Sequence, residues 1–367
     1  MNNLKHKLIC GVFFLLIFGI AIFHIVLPDA DVSTSERRKL EQLPDFSISA
    51  VLSGKYMDEL EEYLLDQFPL RDDFRTIKAL FRFGVFRQAD NNDVYLYDDS
   101  VFKMEYPLKD KQVQYAANKL NAVYDKYLQG MNVYYSVIPD KNYFGAEPSG
   151  HMHMDYDKLL QLLQDNIGEE FTYIDIFPQL ELADYYRTDS HWRQEAIFDV
   201  AQQLASGMGA DEHLTPFDAY TENALEGFHG VYYGQSALPV KADTLVYMTS
   251  PLTESAQVES LEYEGSRPVY TVDRFSGMDG YDVYLSGAQA LLTITCPDAA
   301  SDKELIIFRD SYGSSLTPYL IGAYSKITMV DLRYIAADMI GEYVDFADQD
   351  VLFIYSTTLY NSGMLLK

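Results

Sequence analysis

Two short stretches hold residue types capable of nucleophilic chemistry. Leu305-Ile306-Ile307-Phe308-Arg309-Asp310-Ser311-Tyr312-Gly313 is an apolar, β-rich run that ends in Asp-Ser and continues into a helical pattern. A serine at such a junction is lifted out of the sheet at a helix N-terminus, where its hydroxyl and a backbone N–H can face a developing oxyanion. Thr188-Asp189-Ser190-His191-Trp192 supplies a carboxylate and an imidazole two residues apart, just before another helical pattern. Brought together, Asp189, His191 and Ser311 would form a Ser-His-Asp set in the chain order Asp, His, Ser. Each stretch also has a plainer reading, because Asp and Ser cap helices wherever a chain enters one.

Other residues compete for roles. His151 and His153 lie two apart in a Met-rich stretch, but no carboxylate-histidine helix pattern accompanies them, which favours a solvated loop over a metal site. A metal-dependent hydrolase using Asp189, His191 and Asp310 as ligands lacks a further clear ligand pair. No metal and no cofactor are expected. Gly227-Phe228-His229-Gly230 has the composition of a tight turn, either lining a site or serving only as a loop. Trp192, the only Trp, is either a core residue or a platform for a sugar ring. The 30 Tyr residues suit sugar stacking and equally suit simple packing.

The setting is a membrane. Leu8 to Leu27 is apolar with His24 as its only strongly polar member, and roughly 20 such residues span a bilayer. Lys5 and Lys7 precede the run, and Asp29 and Asp31 follow it. That order favours a cytoplasmic N-terminus and an exported remainder, although Arg37-Arg38-Lys39 opposes it. No convincing small-x-small cleavage site follows, which favours an uncleaved anchor over a removed signal peptide. Cys10 lies within the run, leaving Cys296 alone in the exported part. Stability there rests on a packed core rather than on disulfides. The net charge of −27 repels phosphate backbones, so no nucleic-acid partner is expected.

The elements that must position the two stretches follow from periodicity. Residues 1–31 read as a cytoplasmic tip and transmembrane anchor, and 32–90 as a linker and helical stalk. In the stalk, Leu60, Tyr63, Leu64 and Phe68 share one helix face, and Phe68-Pro69-Leu70-Arg71 breaks it. Residues 91–367 read as an α/β domain. It opens with a hairpin at 93–104, a helix over 109–129 and a strand over 132–137. A helix over 156–166, a strand over 172–176 and a helix over 193–208 follow. Between about 214 and 300, Gly, Thr, Ser and Tyr rise, predicting a β-rich insertion with strands at 244–248, 269–272, 283–285 and 290–294. Strand-helix alternation returns with strands at 304–308, 326–330 and 351–355, and a helix over 314–324. Short apolar runs separated by helices predict parallel strands buried on both faces, hence a three-layer α/β/α sandwich.

Asp-Ser-His-Trp before a helix and Asp-Ser-Tyr-Gly after a strand resemble the Asp-His-His-Trp (DHHW) family of exported Gram-positive proteins. They are also similar to the SGNH-hydrolase-like proteins that O-acetylate alginate. The resemblance extends through Ser35-Glu36-Arg37-Arg38, Leu43-Pro44, Phe68-Pro69-Leu70-Arg71, Ile138-Pro139-Asp140-Lys141 and Asp331-Leu332-Arg333-Tyr334, covering most of the chain from about Ser35. It implies an SGNH-hydrolase-like fold and a triad of Asp189, His191 and Ser311. It further implies a membrane-anchored extracellular acyltransferase that O-acetylates a cell-surface or secreted polysaccharide, beside a membrane-bound O-acyltransferase that supplies the acetyl group. A non-catalytic polysaccharide-binding adaptor and a carbohydrate esterase are the alternatives. Two positions depart from the pattern. Ser190 replaces His outside the triad, and Arg309 stands where SGNH blocks have Gly. Without that open backbone, the N–H of Ser311 is the first oxyanion donor and Asn142 the second. Arg333 and Trp192 are further candidates on the substrate side.

Overall fold

In the computed structural model, which describes residues 2–363, 366 and 367, the N-terminal apolar run folds as helix α1 (Asn2–Val26). Met1, the first residue of the expected tip, lies outside the described residues. Leu4–Val26 is long and apolar enough to cross a membrane by length and composition, and the rest of the chain buries none of its apolar window. A helix suits that role because it satisfies its own backbone hydrogen bonds.

The chain folds as two units, Met1–Asn91 with Tyr233–Pro239, and Asn92–Tyr232 with Val240–Lys367. In the first, β1 (Val32–Ser33) pairs antiparallel with β2 (Arg38–Lys39). Helices α2 (Ile48–Ser53), α3 (Lys55–Asp66) and α4 (Arg71–Leu80) follow, the last continued by a π-helical turn over Phe81–Val85. The Ser-Glu-Arg-Arg and Phe-Pro-Leu-Arg motifs meet here. The Arg38 fork grips Asp66 at 2.7 and 2.5 Å, and Arg71 Nη1 donates to Glu36 Oε2 at 2.6 Å. Gly234 packs on the Ser35 carbonyl where a Cβ would collide, and its own carbonyl accepts from Arg75 Nη2 at 2.7 Å.

The second unit begins with the hairpin β3 (Val94–Tyr97) and β4 (Ser100–Lys103), then α5 (Asp110–Val123), β5 (Val133–Ile138), α6 (Lys141–Ser149), α7 (Tyr156–Asn166) and β6 (Phe171–Tyr173). Next come α8 (Phe198–Gly207), β7 (Thr221–Phe228), α9 (Val231–Ser236), whose residues from Tyr233 onward belong to the first unit, β8 (Asp243–Thr249) and α10 (Pro251–Ser255). The chain closes with β9 (Gln257–Ser260), β10 (Tyr263–Arg267), β11 (Leu291–Thr295), β12 (Glu304–Arg309), α11 (Gly313–Leu320), β13 (Lys326–Val330), β14 (Asp350–Ser356) and α12 (Thr357–Asn361). An 8-stranded sheet in the order β10-β9-β11-β13-β12-β14-β5-β6 forms the middle layer. From β13 to β6 every pairing is parallel.

Alternate residues of β12 explain the layering. Leu305 and Ile307 enter one core with α8 and α11, whereas Ile306 and Phe308 enter the other with α5, α7 and α12. Strands buried on both faces need apolar side chains at every position, which is why these runs read as continuous. Around β12 the strand order reverses, with β13 on one side and β14 on the other. In α/β sheets such a reversal opens a crevice at the C-terminal strand ends.

Two expectations need correction. The stretch from about 214 to 300 is not wholly an insertion, because β9, β10 and β11 extend the central sheet antiparallel from β13. They cover an edge that the parallel strands would leave open, so the sheet is mostly rather than wholly parallel. The runs 269–272 and 283–285 make only an isolated Tyr270–Tyr284 bridge. The Asp279 side chain caps a 3₁₀ turn there, and positive φ at Leu285 and Ser286 bends the backbone away from a ladder.

Candidate active site

Ser311 stands in the turn between β12 and α11. Asp310 shapes that turn, since its Oδ1 accepts the Tyr312 N–H at 3.1 Å and its Oδ2 accepts the Ser356 N–H at 2.8 Å. The carboxylate thus joins the ends of β12 and β14. Gly313 is required next, because a Cβ there would stand 2.8 Å from the Arg309 Cβ. Arg309 itself is fully buried and approaches Asp331 at 3.8 Å. Burial holds its pKa below the usual arginine range. Its guanidinium turns to Asp331 and the Asp310 carbonyl rather than to Ser311. Among the described residues, no hydrogen bond takes up the N–H of Ser311, which remains open at the entrance to α11.

His191 reaches Ser311 across the top of the sheet. Its Nε2 lies 2.7 Å from Ser311 Oγ, and its Nδ1 lies 2.6 Å from Asp189 Oδ1. A carboxylate only accepts, so the neutral ring carries its proton on Nδ1 and turns the Nε2 lone pair toward the serine hydroxyl. Asp189 is fully buried and His191 nearly so, while Ser311 is half-buried. A proton acceptor is therefore aimed at a reachable hydroxyl.

The surroundings hold that line in place. Tyr281 stacks on the imidazole at 4.0 Å and 13°, and Tyr312 packs beside it at 4.7 Å. Asp189 Oδ2 accepts the Val231 N–H at 2.7 Å. Gly230 permits this approach, since a Cβ there would collide with Asp189 and the Thr188 carbonyl. The Gly230 N–H donates to Thr188 Oγ1 at 2.8 Å, and Thr188 Oγ1 donates to Asp243 Oδ2 at 2.6 Å. The Gly-Phe-His-Gly turn thus supports the carboxylate through its backbone. Gly230 was its one visible signal; Asp243 and Tyr281 carry none in the sequence.

The remaining candidates lie elsewhere. Trp192 is fully buried, with its Nε1–H on Ser315 Oγ at 2.9 Å, so it is a core residue and not a sugar platform. Asn142 is buried and accepts the Tyr95 hydroxyl at 2.7 Å, and its amide turns toward the Met152 carbonyl rather than Ser311. The Arg333 fork is taken by Asp331 at 2.9 and 2.6 Å, because that fully buried carboxylate needs cationic partners. His151 stacks on Tyr95, and His153 bonds the Met154 carbonyl. A cleft of 790 Å³, lined by Glu181, Arg187, Arg193, Glu195 and Asp243 among others, abuts the Asp243 brace but contains neither His191 nor Ser311.

With an acid, an imidazole and a serine in one line, the sequence comparisons acquire a structural meaning. Residues 153–330, which include all of that line, match the family described as DHHW protein. The chain carries a DHHW family domain. A DHHW family protein from Eubacterium siraeum superposes with a TM-score of 0.62 at 21% identity, over 75% of this chain and 95% of its own. PatB1 from Bacillus cereus gives 0.61 at 17% identity, over 75% of this chain and 99% of its own. A structure of PatB1 with a sulfonyl adduct gives 0.59 at 17% identity, over 74% and 98%. These likenesses show that the DHHW domain shares their α/β fold. No curated protein matches the sequence.

Proposed function

We propose that this chain is a membrane-anchored acyltransferase that O-acetylates a cell-surface or secreted polysaccharide outside the cell. The line Asp189–His191–Ser311, with links of 2.6 and 2.7 Å, carries the reading. His191 Nε2 takes the Ser311 proton as Oγ attacks the carbonyl of an acetyl donor. The oxyanion of the tetrahedral intermediate faces the open N–H of Ser311. Collapse passes the proton from His191 to the leaving group and leaves the acetyl on Ser311. A sugar hydroxyl then gives its proton to His191 and takes the acetyl group, and as the Ser311 Oγ–acyl bond breaks the imidazolium returns that proton to Oγ. Asp189 stabilises the imidazolium formed in each half.

Three further observations support this reading. The cleft beside Asp243 is lined by both carboxylates and guanidiniums, which can hydrogen-bond sugar hydroxyls. A PatB1 structure holds a sulfonyl adduct, and sulfonyl reagents as a class capture activated hydroxyl nucleophiles. Helix α1 would keep the domain beside a membrane-bound O-acyltransferase that delivers acetyl groups outward. Transfer is preferred to hydrolysis through the resemblance to alginate-acetylating proteins; an esterase is the same chemistry with water as acceptor.

The test is complementation. Cells lacking the protein should make normal amounts of polymer with fewer acetyl groups. The Ser311→Ala chain, present at normal levels, should leave acetylation low. Restored acetylation by that variant would make the protein a polysaccharide-binding adaptor instead.

A further inference from the structure

Helix α4 has its amphipathicity the wrong way round for a helix in water. Leu70, Phe74, Ile77 and Phe81 fall at i, i+4, i+7 and i+11, which places them on one face. That face points outward, with each of the four between 48% and 69% exposed, while Ala79 on the opposite face is fully buried. Val85 and Phe86 extend the exposed apolar surface through the π-helical turn. Arg71, Arg75, Lys78 and Arg82 repeat the same spacing one residue later, so a basic stripe flanks the apolar one. Arg71 and Arg75 also pair with Glu36, which leaves exposed Lys78 and half-buried Arg82 as the remaining cations of the flank. Asp72 falls outside both stripes, whereas Asp73, three residues after Leu70 and four before Ile77, borders the apolar one.

Contacts within this unit tie α3, the helix that precedes α4, to the end of α1. The Tyr63 hydroxyl of α3 donates to both oxygens of Asp29 at 3.1 Å, just beyond the end of α1. The Tyr63 ring meets His24, in the last turn of α1, edge-on at 5.6 Å. Helix α3 therefore packs on the end of the apolar span, where lipid would give way to water, and α4 follows it after a four-residue break. Phe46, Ile48, Leu52 and Leu65, on neighbouring segments of the same unit, are exposed as well. An apolar surface this extensive is unusual on a soluble domain. An apolar face with a basic border is what a helix lying in a bilayer interface presents.

We propose that α4 lies in the headgroup layer at the membrane surface where α1 ends, its apolar stripe among the upper acyl chains and Lys78 and Arg82 against anionic phospholipid headgroups. This rests on α1 spanning the membrane. It assigns the stalk a second membrane contact that fixes how the exported chain leaves the bilayer.

The full chain, reconstituted in vesicles of phosphatidylcholine with phosphatidylglycerol, tests this by nitroxide labelling. Ile77→Cys and Phe81→Cys carry the label in a Cys10→Ser, Cys296→Ala background, with Asp72→Cys as the exposed off-stripe position. Native Cys10, labelled in a Cys296→Ala chain, reports on α1 itself. Collision with oxygen should exceed collision with a water-soluble nickel complex severalfold at positions 77 and 81, and the preference should reverse at 72. Without phosphatidylglycerol, the preference at 77 and 81 should fall at least twofold; an unchanged preference overturns the headgroup contact. Nickel access at 77 and 81 equal to that at 72 overturns the proposal. So does shielding from both reagents, which would mean a protein surface covers the stripe. A lipid-like signal at Cys10 alongside either failure leaves the anchor standing, whereas a nickel-accessible Cys10 removes both.

Discussion

The indole Nε1–H of Trp192 donates to Ser315 Oγ at 2.9 Å, a bond that spans 123 residues of chain. It fastens the residue after His191 to the first turn of α11, the helix entered from Ser311. Tyr281, stacked on the imidazole, places its hydroxyl 2.7 Å from the same Ser315 oxygen. One buried hydroxyl therefore sets the register among three parts of the site.

Ser315→Ala should strand both partners in a fully buried position, at about 1–3 kcal/mol for each group left unpaired. Urea unfolding should show that loss, together with a fall in kcat for an activated aryl ester as the His191–Ser311 geometry loosens. Unchanged stability and unchanged kcat would mean that the register is held elsewhere.

Gly230→Ala introduces a Cβ where Asp189 and the Thr188 carbonyl already stand. The turn must move back, taking the Val231 N–H away from Asp189 Oδ2. We expect at least a tenfold loss of aryl esterase activity with the far-ultraviolet circular dichroism retained. A variant with parental activity would show that this carboxylate needs no backbone donor.

Sequence legibility followed physical range. β12 and β14 stand out because strands buried on both faces leave continuous apolar runs, a pattern contained within six or seven residues. The meeting of Asp-x-His with Asp-Ser is legible too, since each half is a compact motif at the edge of a helical pattern. The supports of Asp189 are not. Val231 contributes only a backbone N–H, and Asp243 lies 55 residues from the Thr188 it braces. Trp192 stayed open between core and platform, and Arg333 misled, because a side chain's type does not reveal whether Ser315 or Asp331 already occupies it. The sheet membership of β9 to β11 depends on edge pairing with β13, which composition does not encode.

Lys141 makes stability depend on pH. Its Nζ donates to the carbonyls of Val101, Tyr186 and Arg187 at 2.8, 2.6 and 2.8 Å, bracing the segment before Asp189. Burial pushes its pKa down to about 7, against the attraction of Asp243 and Asp189. The unfolded chain keeps this proton up to about pH 10.4. Between those values the unfolded state binds more protons than the folded one, so this group makes stability rise with pH from about 7 upward and contributes no slope below. Lys141→Met should flatten that rise in denaturant titrations between about pH 7 and 9. Equal slopes in parent and variant would contradict the assignment.

Asp310 separates serine chemistry from the metal alternative. Both of its oxygens accept backbone N–H groups, from Tyr312 and Ser356, so its work is structural. Asp310→Asn should lower stability by about 1–3 kcal/mol while leaving measurable esterase activity, and a chelator should leave the parent rate unchanged. Activity abolished by the chelator and restored by a divalent metal would move Asp310 from scaffold to ligand.

The central claim is that His191 activates Ser311, and covalent capture tests it most directly. The full chain, incubated with a sulfonyl fluoride, should gain the mass of one sulfonyl group, and peptide mapping should place it on Ser311. Ser311→Ala should gain none, and His191→Ala should react at least a hundredfold more slowly, since the two residues act as a unit. Labelling on another residue, or equal labelling rates in the parent and His191→Ala, would contradict the account.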